Sequence, residues 1–425
     1  MVHLSLLSLC FCFIVAAVIA APMGVTHRSD GSVLVGDMLY SADQWQSLLA
    51  KNLDSIAKLW PKVNGVVKIP YKIANPNLNV TLLKLAFRSW EANSCLEFPE
   101  MTASDTEYLK ITIQSGCFSD VGYTHGKVTT VSIFGDACHL RGVIHELGHA
   151  MGLQHEHSRS DRDNSIIVVR SNVIPGLEYN FIKLNTVNFD VPYDYYSVMH
   201  YHDRAAGKNN KRVILAKDAR FQEIMGNAPG ISFMNMKLVN TMYGCIADWL
   251  EACDRSPDPC KNGGYTKKDC SCACPWGTIG ANCETFIMSY NDVIVRKVSP
   301  YSRLITPGEE VISPGYPTNG PREGIQYTQV MRAPEGQRAV VKFEDFQILP
   351  RFNKTCSYSS LEIRSDVSVE EGAIFCGEEI SKGTVFKSKK SELIFHYKNY
   401  NYAMFGQKNW SRGYKAVFTT EIISN

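Results

Sequence analysis

The sequence has little that would direct it to nucleic acid or into a membrane. Its 44 Lys and Arg residues nearly balance its 42 Asp and Glu residues, which leaves a formal net charge of +2. A chain so nearly neutral has no bulk attraction for nucleic acid or anionic lipid. After the N-terminal segment 4–19, no apolar run is long enough to cross a bilayer. We therefore expect no nucleic-acid partner and no membrane span.

Cysteine, in contrast, is abundant, with 14 in 425 residues. A chain of this length is expected to form two to three domains, and so many cysteines favour disulfides formed outside the cell. Residues 4–19 are mostly apolar and are followed by the small residues Ala20 and Ala21. We interpret residues 1–20 as a secretory signal peptide, although His3 stands where Lys or Arg is usual. The alternative is a signal-anchor helix; the expected location is extracellular.

The most informative stretch is residues 145–163, which read HELGHAMGLQHEHSRSDRD. On a helix, His145 and His149 would lie one turn apart on the same face, where two imidazoles can bind one zinc ion. Glu146 would place a carboxylate beside the open coordination position. Gly152 would end the helix and turn the chain back, so that His155 supplies a third ligand and leaves a position for water. The spacing predicts one catalytic Zn²⁺ site.

This stretch resembles the zinc motif of the astacin family, a group of metzincin zinc endopeptidases. The family continues the motif with Glu, here Glu156, and has a Met-turn of the form SxMHY, here residues 197–201. The resemblance implies that Met199 forms an apolar floor beneath the metal. It also implies that Tyr201 ligates zinc and then stabilises the transition state. Taken singly, each feature has an ordinary structural explanation, such as a core Met or a buried Tyr.

The resemblance implies a multidomain chain. We expect an α+β metzincin zinc-protease domain at residues 59–248, a small disulfide-rich EGF-like module at 249–284 and an all-β CUB sandwich at 285–425. Ahead of them, residues 21–58 are expected to be a propeptide, which follows the signal peptide.

The expected propeptide has a candidate zinc ligand of its own. Astacin propeptides carry an FxGD motif whose Asp binds the catalytic zinc, and here Leu-Val-Gly precedes Asp37. The alternative is an ordinary Gly-Asp turn. A zymogen needs an activating protease, and Lys51 and Lys58 are candidate trypsin-type cleavage sites. In the family the new N-terminus contacts, through water, the Glu after the third His, here Glu156.

Within the catalytic domain, the strand expected at residues 128–133 would be the edge strand that pairs with an extended substrate. Asn79 begins an N-glycosylation sequon at the start of a predicted helix. Four cysteines belong to this domain, and their spacing alone allows three pairings. The family resemblance implies the pairs Cys95–Cys245 and Cys117–Cys138.

Residues 249–284 hold six cysteines in a segment too short to bury a self-sufficient core. The alternative to an EGF-like module is a zinc knuckle, which would need a reducing compartment. Calcium binding is not supported, because residues 250–252 lack the acid cluster that the calcium-binding subclass has before its first Cys. The EGF-like resemblance implies the pairs Cys253–Cys270, Cys260–Cys272 and Cys274–Cys283.

Residues 285–425 contain short β-rich runs bounded by Gly, Pro, Asn and Ser. The resemblance to a CUB sandwich includes one disulfide, Cys356–Cys376, where many such domains have two. No calcium site can be assigned there residue by residue. Further sequons begin at Asn353 and Asn409. The region would act as an exosite for a protein or glycan, or else as a passive spacer.

These features favour a secreted zinc endopeptidase made as a zymogen, with Glu146 as general base toward water activated by zinc. The domain order resembles that of nematode astacins, which implies extracellular matrix or cuticle proteins as substrates. The alternative is a catalytically silent matrix-binding or adhesion protein that uses the EGF–CUB region. Because Glu146 and all three His are present, the enzyme is the favoured hypothesis.

Overall fold

A computed structural model of the chain describes residues 24–50, 58–318, 320, 324–399 and 411–423. The predicted signal peptide 1–20, the candidate cleavage site Lys51 and the sequon at Asn409 lie outside these residues. Among the described residues, no helix has the length and apolar character needed to span a lipid bilayer.

The first part of the chain builds one mixed sheet with helices packed against it. Seven strands form that sheet in the order β1-β2-β3-β9-β10-β8-β6, and smaller sheets join β4-β5-β7 and β11-β12. In chain order the elements are β1 (Val25–His27), β2 (Val33–Val35), β3 (Met38–Tyr40), α1 (Ala42–Leu49), β4 (Lys62–Val63), β5 (Val66–Lys68), β6 (Tyr71–Ile73), α2 (Val80–Glu91), β7 (Leu96–Glu97), β8 (Leu109–Thr112), β9 (Phe118–Asp120), β10 (Thr129–Ser132), α3 (Leu140–Ala150), β11 (Ile166–Val168), β12 (Ile214–Ala216), α4 (Phe233–Met242) and α5 (Cys245–Ala252).

The N-terminal segment is part of this sheet. β2 and β3 form a hairpin in which Val35 pairs with Met38, so Gly36 and Asp37 are its two-residue turn. Gly36 has φ +63°, as the first position of a type II′ turn requires. The sequence therefore places Asp37 at the tip of a tight hairpin.

The prediction that residues 128–133 form the edge strand was wrong. The strand there, β10, lies between β9 and β8. The outer side of β9 is covered by β3 in parallel pairing, with Met38 opposite Ser119 and Leu39 opposite Asp120. β10 is a β-rich run, whereas β9 has the sequence Phe-Ser-Asp, which does not mark a strand, so the strand outside β10 could not be read from local sequence.

Helix α3, which carries the first two predicted zinc ligands, packs against α2 and against β9 and β10. α2 begins at Asn79, whose side chain accepts a hydrogen bond from the third backbone N–H of the helix. Its buried face ends in Trp90, and the Trp90 indole Nε1 donates to the Ile144 carbonyl of α3 at 3.0 Å. This contact joins α2 directly to the backbone of α3.

The segment after α5 forms two small hairpins, β13 (Tyr265–Thr266) with β14 (Cys272–Ala273) and β15 (Thr278–Ile279) with β16 (Thr285–Phe286). Tyr265 is buried in the core of the catalytic domain, and its hydroxyl accepts from Asn240 at 3.3 Å. The segment is therefore packed onto the catalytic domain. Its EGF-like assignment stays a prediction.

The C-terminal region forms two packed antiparallel layers, apart from the parallel pair β17 and β19. One layer has the order β17-β19-β24-β21-β22 and the other β18-β25-β20-β23, and apolar side chains of both share one core. The predicted all-β sandwich is confirmed for these residues. The elements are α6 (Tyr290–Val298), β17 (Arg303–Ile305), β18 (Glu310–Ile312), β19 (Gln326–Arg332), β20 (Gln337–Gln347), β21 (Ser359–Arg364), β22 (Ala373–Phe375), β23 (Val385–Lys387), β24 (Glu392–Asn399) and β25 (Gly413–Ile422).

The all-β prediction for 285–425 was wrong at its start, because α6 is a helix. Ser289 caps it, and Asp292 at the third helical position bonds back to the Ser289 hydroxyl at 2.6 Å. Ser-x-x-Asp before an apolar run is a helix-start signature that the sequence contains. Ile294 and Val295 of α6 are buried against catalytic-domain residues.

Six disulfides join the cysteine pairs that the family resemblance implied. They are Cys95–Cys245, Cys117–Cys138, Cys253–Cys270, Cys260–Cys272, Cys274–Cys283 and Cys356–Cys376. Cys95–Cys245 joins α5 to the segment after α2, and Cys117–Cys138 joins the start of β9 to the segment before α3. Both brace the elements around α3.

The disulfide that closes the longest loop should contribute most to stability. Cys95 and Cys245 are 150 residues apart, whereas Cys356 and Cys376 are 20 apart. Replacing both members of the first pair with Ala should lower the free energy of unfolding by roughly 2–5 kcal/mol, and more than the same change in the second pair, because a longer loop frees more unfolded-state entropy. Urea unfolding of the two double variants measures this. An equal or reversed order would contradict it.

Candidate active site

Three histidines converge on one point beside α3. His145 and His149 lie one turn apart on α3, the chain turns at Gly152 with φ +96°, and His155 returns toward the helix. The Nε2 atom of His149 lies 3.0 Å from that of His145 and 3.2 Å from that of His155. The structure therefore brings together the three residues that the sequence predicted as ligands.

Backbone carbonyls orient two of these rings. His145 Nδ1 donates to the Val198 carbonyl and His149 Nδ1 donates to the Leu153 carbonyl, both at 2.8 Å. With the proton on Nδ1, each Nε2 lone pair faces the shared point, which is the tautomer that binds metal. All three rings are buried. These residues fit a zinc ion, because three imidazoles with one further position are the donor set of catalytic zinc sites.

Asp37 faces the same point from the N-terminal hairpin of β2 and β3. Its carboxylate oxygens lie 3.2 Å from His145 Nε2 and 3.0 Å from His155 Nε2. With the three histidines it forms a group whose ligand atoms all lie within 4.8 Å of one another. A carboxylate so placed can be a fourth ligand.

Tyr201 and Met199 also line the site, Tyr201 beside Asp37 and His155 and Met199 beside α3. The Tyr201 hydroxyl donates to Asp37 Oδ1 at 3.4 Å, and its ring packs on that of His155 with centroids 4.4 Å apart. Met199 lies against Gly148 of α3, where a Cβ would meet the Met199 sulfur at 2.7 Å. Only glycine fits at position 148 with the Met side chain in this place.

Glu146 is the buried acid next to the first histidine. Its side chain is only 2% exposed, and its Oε2 atom has no hydrogen-bond partner among the described residues. Burial, and then the charge of Asp37, raise the pKa of the Glu146 carboxyl well above its usual range. An acid with a raised pKa, unpaired and beside a metal site, is suited to exchange a proton with a reacting group.

Glu156 is held by charged and backbone partners behind the site. Its Oε1 atom accepts from Arg159 Nη1 at 3.1 Å and from the Asp194 backbone N–H at 2.9 Å. Burial raises the pKa of the Glu156 carboxyl to about 7 despite the Arg159 charge. Both side chains line a cavity of about 360 Å³, together with Leu59 and Phe189. The contact between a new N-terminus and Glu156 stays a prediction.

Two residues near the site were missed by the sequence reasoning. His157 is fully buried, its ring packs at a tilt against that of Tyr201 with centroids 4.3 Å apart, and its Nε2 atom is hydrogen-bonded to the Asn180 carbonyl at 2.9 Å. Arg141 lies one turn before His145 on α3, and its buried Nε atom has no hydrogen-bond partner among the described residues. Its i,i+4 spacing from His145 could have indicated a cation on the same face of α3.

Three histidines on a helix-turn unit, with a buried carboxyl beside them, are the arrangement of zinc metalloproteinases. The family model described as "Astacin", a peptidase family, matches residues 52–244. Residues 52–244 of this chain are therefore an astacin-family domain.

Curated relatives agree over most of this chain. Protein SpAN of Strongylocentrotus purpuratus is 31% identical over 337 residues, which cover 77% of this chain and 53% of the relative. Zinc metalloproteinase nas-36 of Brugia malayi is 32% identical over 327 residues, which cover 75% of this chain and 54% of the relative. This chain therefore spans about half the length of these curated relatives.

A solved structure is similar to part of this chain. High choriolytic enzyme 1, a hatching enzyme zinc-protease of Oryzias latipes, is 33% identical, with 44% of this chain and 94% of that chain covered and a TM-score of 0.42.

The buried histidines should retain zinc below the pH at which free histidine is protonated. Burial lowers the pKa of His149 and of His155, so both stay neutral, and able to bind metal, as the pH falls through the ordinary value of about 6.5. We expect about one zinc per chain after dialysis at neutral pH, with loss centred below pH ~6.5. Elemental analysis across a pH series measures this.

His125→Gln is the control, since that histidine is exposed; His149→Gln should lose zinc at neutral pH. Loss centred at or above pH ~6.5 would contradict the argument.

Proposed function

We propose that this chain is a secreted zinc endopeptidase of astacin type, made as a zymogen, that cleaves extracellular proteins. The observation that carries the proposal is the convergence of three histidine Nε2 atoms beside the buried, unpartnered carboxyl of Glu146. The six disulfides support an oxidising, extracellular location. Matrix or cuticle proteins as substrates, and a separate activating protease, are parts of the same proposal.

In the proposed reaction, the three histidines would hold a zinc ion, which when bound would supply a Lewis acid for the scissile carbonyl and would lower the pKa of the attacking water to about 7. Glu146 takes a proton from that water and delivers it to the leaving nitrogen. The Tyr201 hydroxyl, protonated because burial raises its pKa well above the usual value, donates a hydrogen bond to the carbonyl oxygen as its charge grows. Met199 and Gly148 hold α3 against the turn that carries Tyr201.

The zymogen proposal is supported by two contacts of the N-terminal hairpin. Asp37 takes the position beside the three histidines where water would be needed. Strand β3 covers the outer side of β9, and an extended substrate would add to the sheet by pairing with that side. Removal of the hairpin would free both places at once.

The alternative is a catalytically silent adhesion protein that uses the EGF-like and CUB-like regions. Glu146 with all three histidines argues against it, since a binding module has no use for an unpartnered buried acid, whose burial is unfavourable. Activity decides between the two hypotheses.

Glu146→Gln should abolish most peptidase activity because it removes the general base while keeping the shape of the side chain. We expect kcat/KM to fall by about 10²–10⁴-fold relative to the wild type, the usual contribution of a general base. The assay is hydrolysis of a denatured matrix protein by the trypsin-treated secreted form.

Glu97→Gln, at an exposed position on β7, is the matched control and should retain full activity. Equal cleavage by wild type and Glu146→Gln would point to a contaminating protease. An inactive wild type with zinc bound and propeptide removed would favour the adhesion hypothesis.

Asp37→Ala should weaken the inhibition of the uncut zymogen because it removes the fourth ligand. We expect the uncut variant to hydrolyse a short peptide, whereas uncut wild type does not. The comparison variant is Asp43→Ala, which removes an exposed acid on α1 of the same segment. Uncut, it should not hydrolyse the peptide. If uncut Asp37→Ala hydrolyses no more peptide than uncut wild type, and trypsin activates both equally, then Asp37 is not the inhibitory group.

A further inference from the structure

A fully buried arginine lies where the catalytic domain meets the C-terminal sandwich. Arg212 is 0% exposed. Its Nε atom donates to Asp203 Oδ2 at 3.0 Å, within the catalytic domain. Its two terminal nitrogens donate to the two carboxylate oxygens of Glu362 at 2.6 and 2.8 Å. Glu362 lies on β21 of the sandwich, so one guanidinium ties the two domains with a two-pronged, charge-assisted contact.

Further charges complete this cluster, which we call the docking cluster. Glu223 of the catalytic domain pairs with Lys398 of the sandwich at 2.9 Å, and Arg204 pairs with Glu371 at 3.0 Å. The carboxylates are Asp203, Glu223, Glu362 and Glu371, and the cations that pair with them are Arg204, Arg212 and Lys398. Arg364 of β21 lies beside the cluster and is hydrogen-bonded to Gln222 of the catalytic domain at 3.4 Å.

Apolar and polar contacts extend the same interface. Ala219 of the catalytic domain packs with Val330 and Ile394 of the sandwich, all at most 1% exposed. Arg220 of the catalytic domain pairs with Asp292 of α6 at 2.7 Å. Buried apolar surface and a buried ion cluster distinguish a docked domain from one held by a mobile linker.

The docking cluster continues toward the active site through the backbone. Asp203, the acid that Arg212 holds, is two residues after Tyr201. The Asp203 carbonyl accepts from the backbone N–H of Val213 and of Ile214, at 2.8 and 3.0 Å. His202, between Tyr201 and Asp203, packs on Gly226 so closely that a Cβ there would meet the His202 backbone at 2.3 Å.

We propose that the C-terminal sandwich is an integral part of the catalytic unit, and that Arg212 is a positioning residue through which Glu362 of the sandwich holds Tyr201 in place. This proposal rests on the proposed peptidase function for its kinetic part only. It assigns the sandwich a role other than a passive spacer or a freely moving exosite.

The physical reason is that the two terminal nitrogens of Arg212 make their shortest hydrogen bonds to the sandwich, at 2.6 and 2.8 Å to Glu362. Without Glu362, these nitrogens would keep only longer contacts, to Glu223 at 3.4 Å, to the Glu370 carbonyl at 3.2 Å and to Glu371 at 3.6 Å. A buried cation with broken bonds draws water or moves its neighbours. The neighbour joined to the active site is the segment 202–214.

The test is Glu362→Gln in the full-length chain, activated with trypsin, beside Glu310→Gln. Glu310 pairs with Lys415 on the surface of the same sandwich and is 56% exposed, so it is a matched loss of charge away from the interface. Three quantities are measured: hydrogen exchange of the segment 202–214, zinc content, and kcat and KM on a peptide too short to touch the sandwich.

For Glu362→Gln we expect faster exchange in 202–214, unchanged zinc content and unchanged KM. We expect kcat to fall by about tenfold, within the range of coupling between linked sites. A fall in kcat at constant KM and zinc content separates positioning of Tyr201 from general unfolding. Glu310→Gln should match wild type. Wild-type exchange and kcat in Glu362→Gln would overturn the proposal.

A second variant keeps the test decisive if Glu362→Gln does not fold. Asp203→Asn keeps the Arg212–Glu362 contact between the domains but removes the carboxylate, two residues after Tyr201, that pairs with Arg212. It should lower kcat while exchange in β21 stays at the wild-type level, and an unchanged kcat would overturn the positioning role. If wild type itself is inactive, the peptidase function fails, and hydrogen exchange alone then decides whether the sandwich is docked as proposed.

Discussion

The structure depends on holding three imidazole nitrogens at one point. Those of His145, His149 and His155 lie so close that they need either a cation or a fixed scaffold to stay together. The scaffold is a helix that spaces two rings one turn apart, a turn at Gly152, and backbone carbonyls that accept from the Nδ1 atoms. The sheet and α2 both pack against the helix of this scaffold.

The N-terminal hairpin and the sandwich act on opposite parts of the same site. The hairpin brings Asp37 to the histidines and covers β9. The sandwich contacts the segment after Tyr201 through Arg212. The contact of Asp37 with the histidines would be lost if the hairpin were removed, as the proposed propeptide would be. The contact between Arg212 and Glu362 is buried and ionic, which suits a permanent support.

Local spacing was enough to predict the zinc ligands, because four residues of helix bring His145 and His149 together whatever the rest of the chain does. The same holds for the turn that carries Asp37, where Gly before Asp matches a type II′ hairpin. Helix α6 could also have been predicted from Ser289 and Asp292. It was missed because the β-rich runs that follow it dominated the interpretation of that region.

What the sequence determined by itself is the chemistry of the site: the ligands, the neighbouring acid and the cysteines available for pairing. Only the tertiary structure decided that β9 and not β10 is the strand covered by β3, and that Arg212 meets Glu362, 150 residues away. Arg212 lies in a polar stretch with no periodicity to mark it as buried. Strand order and ion pairing between domains depend on partners far along the chain, and no local pattern encodes them.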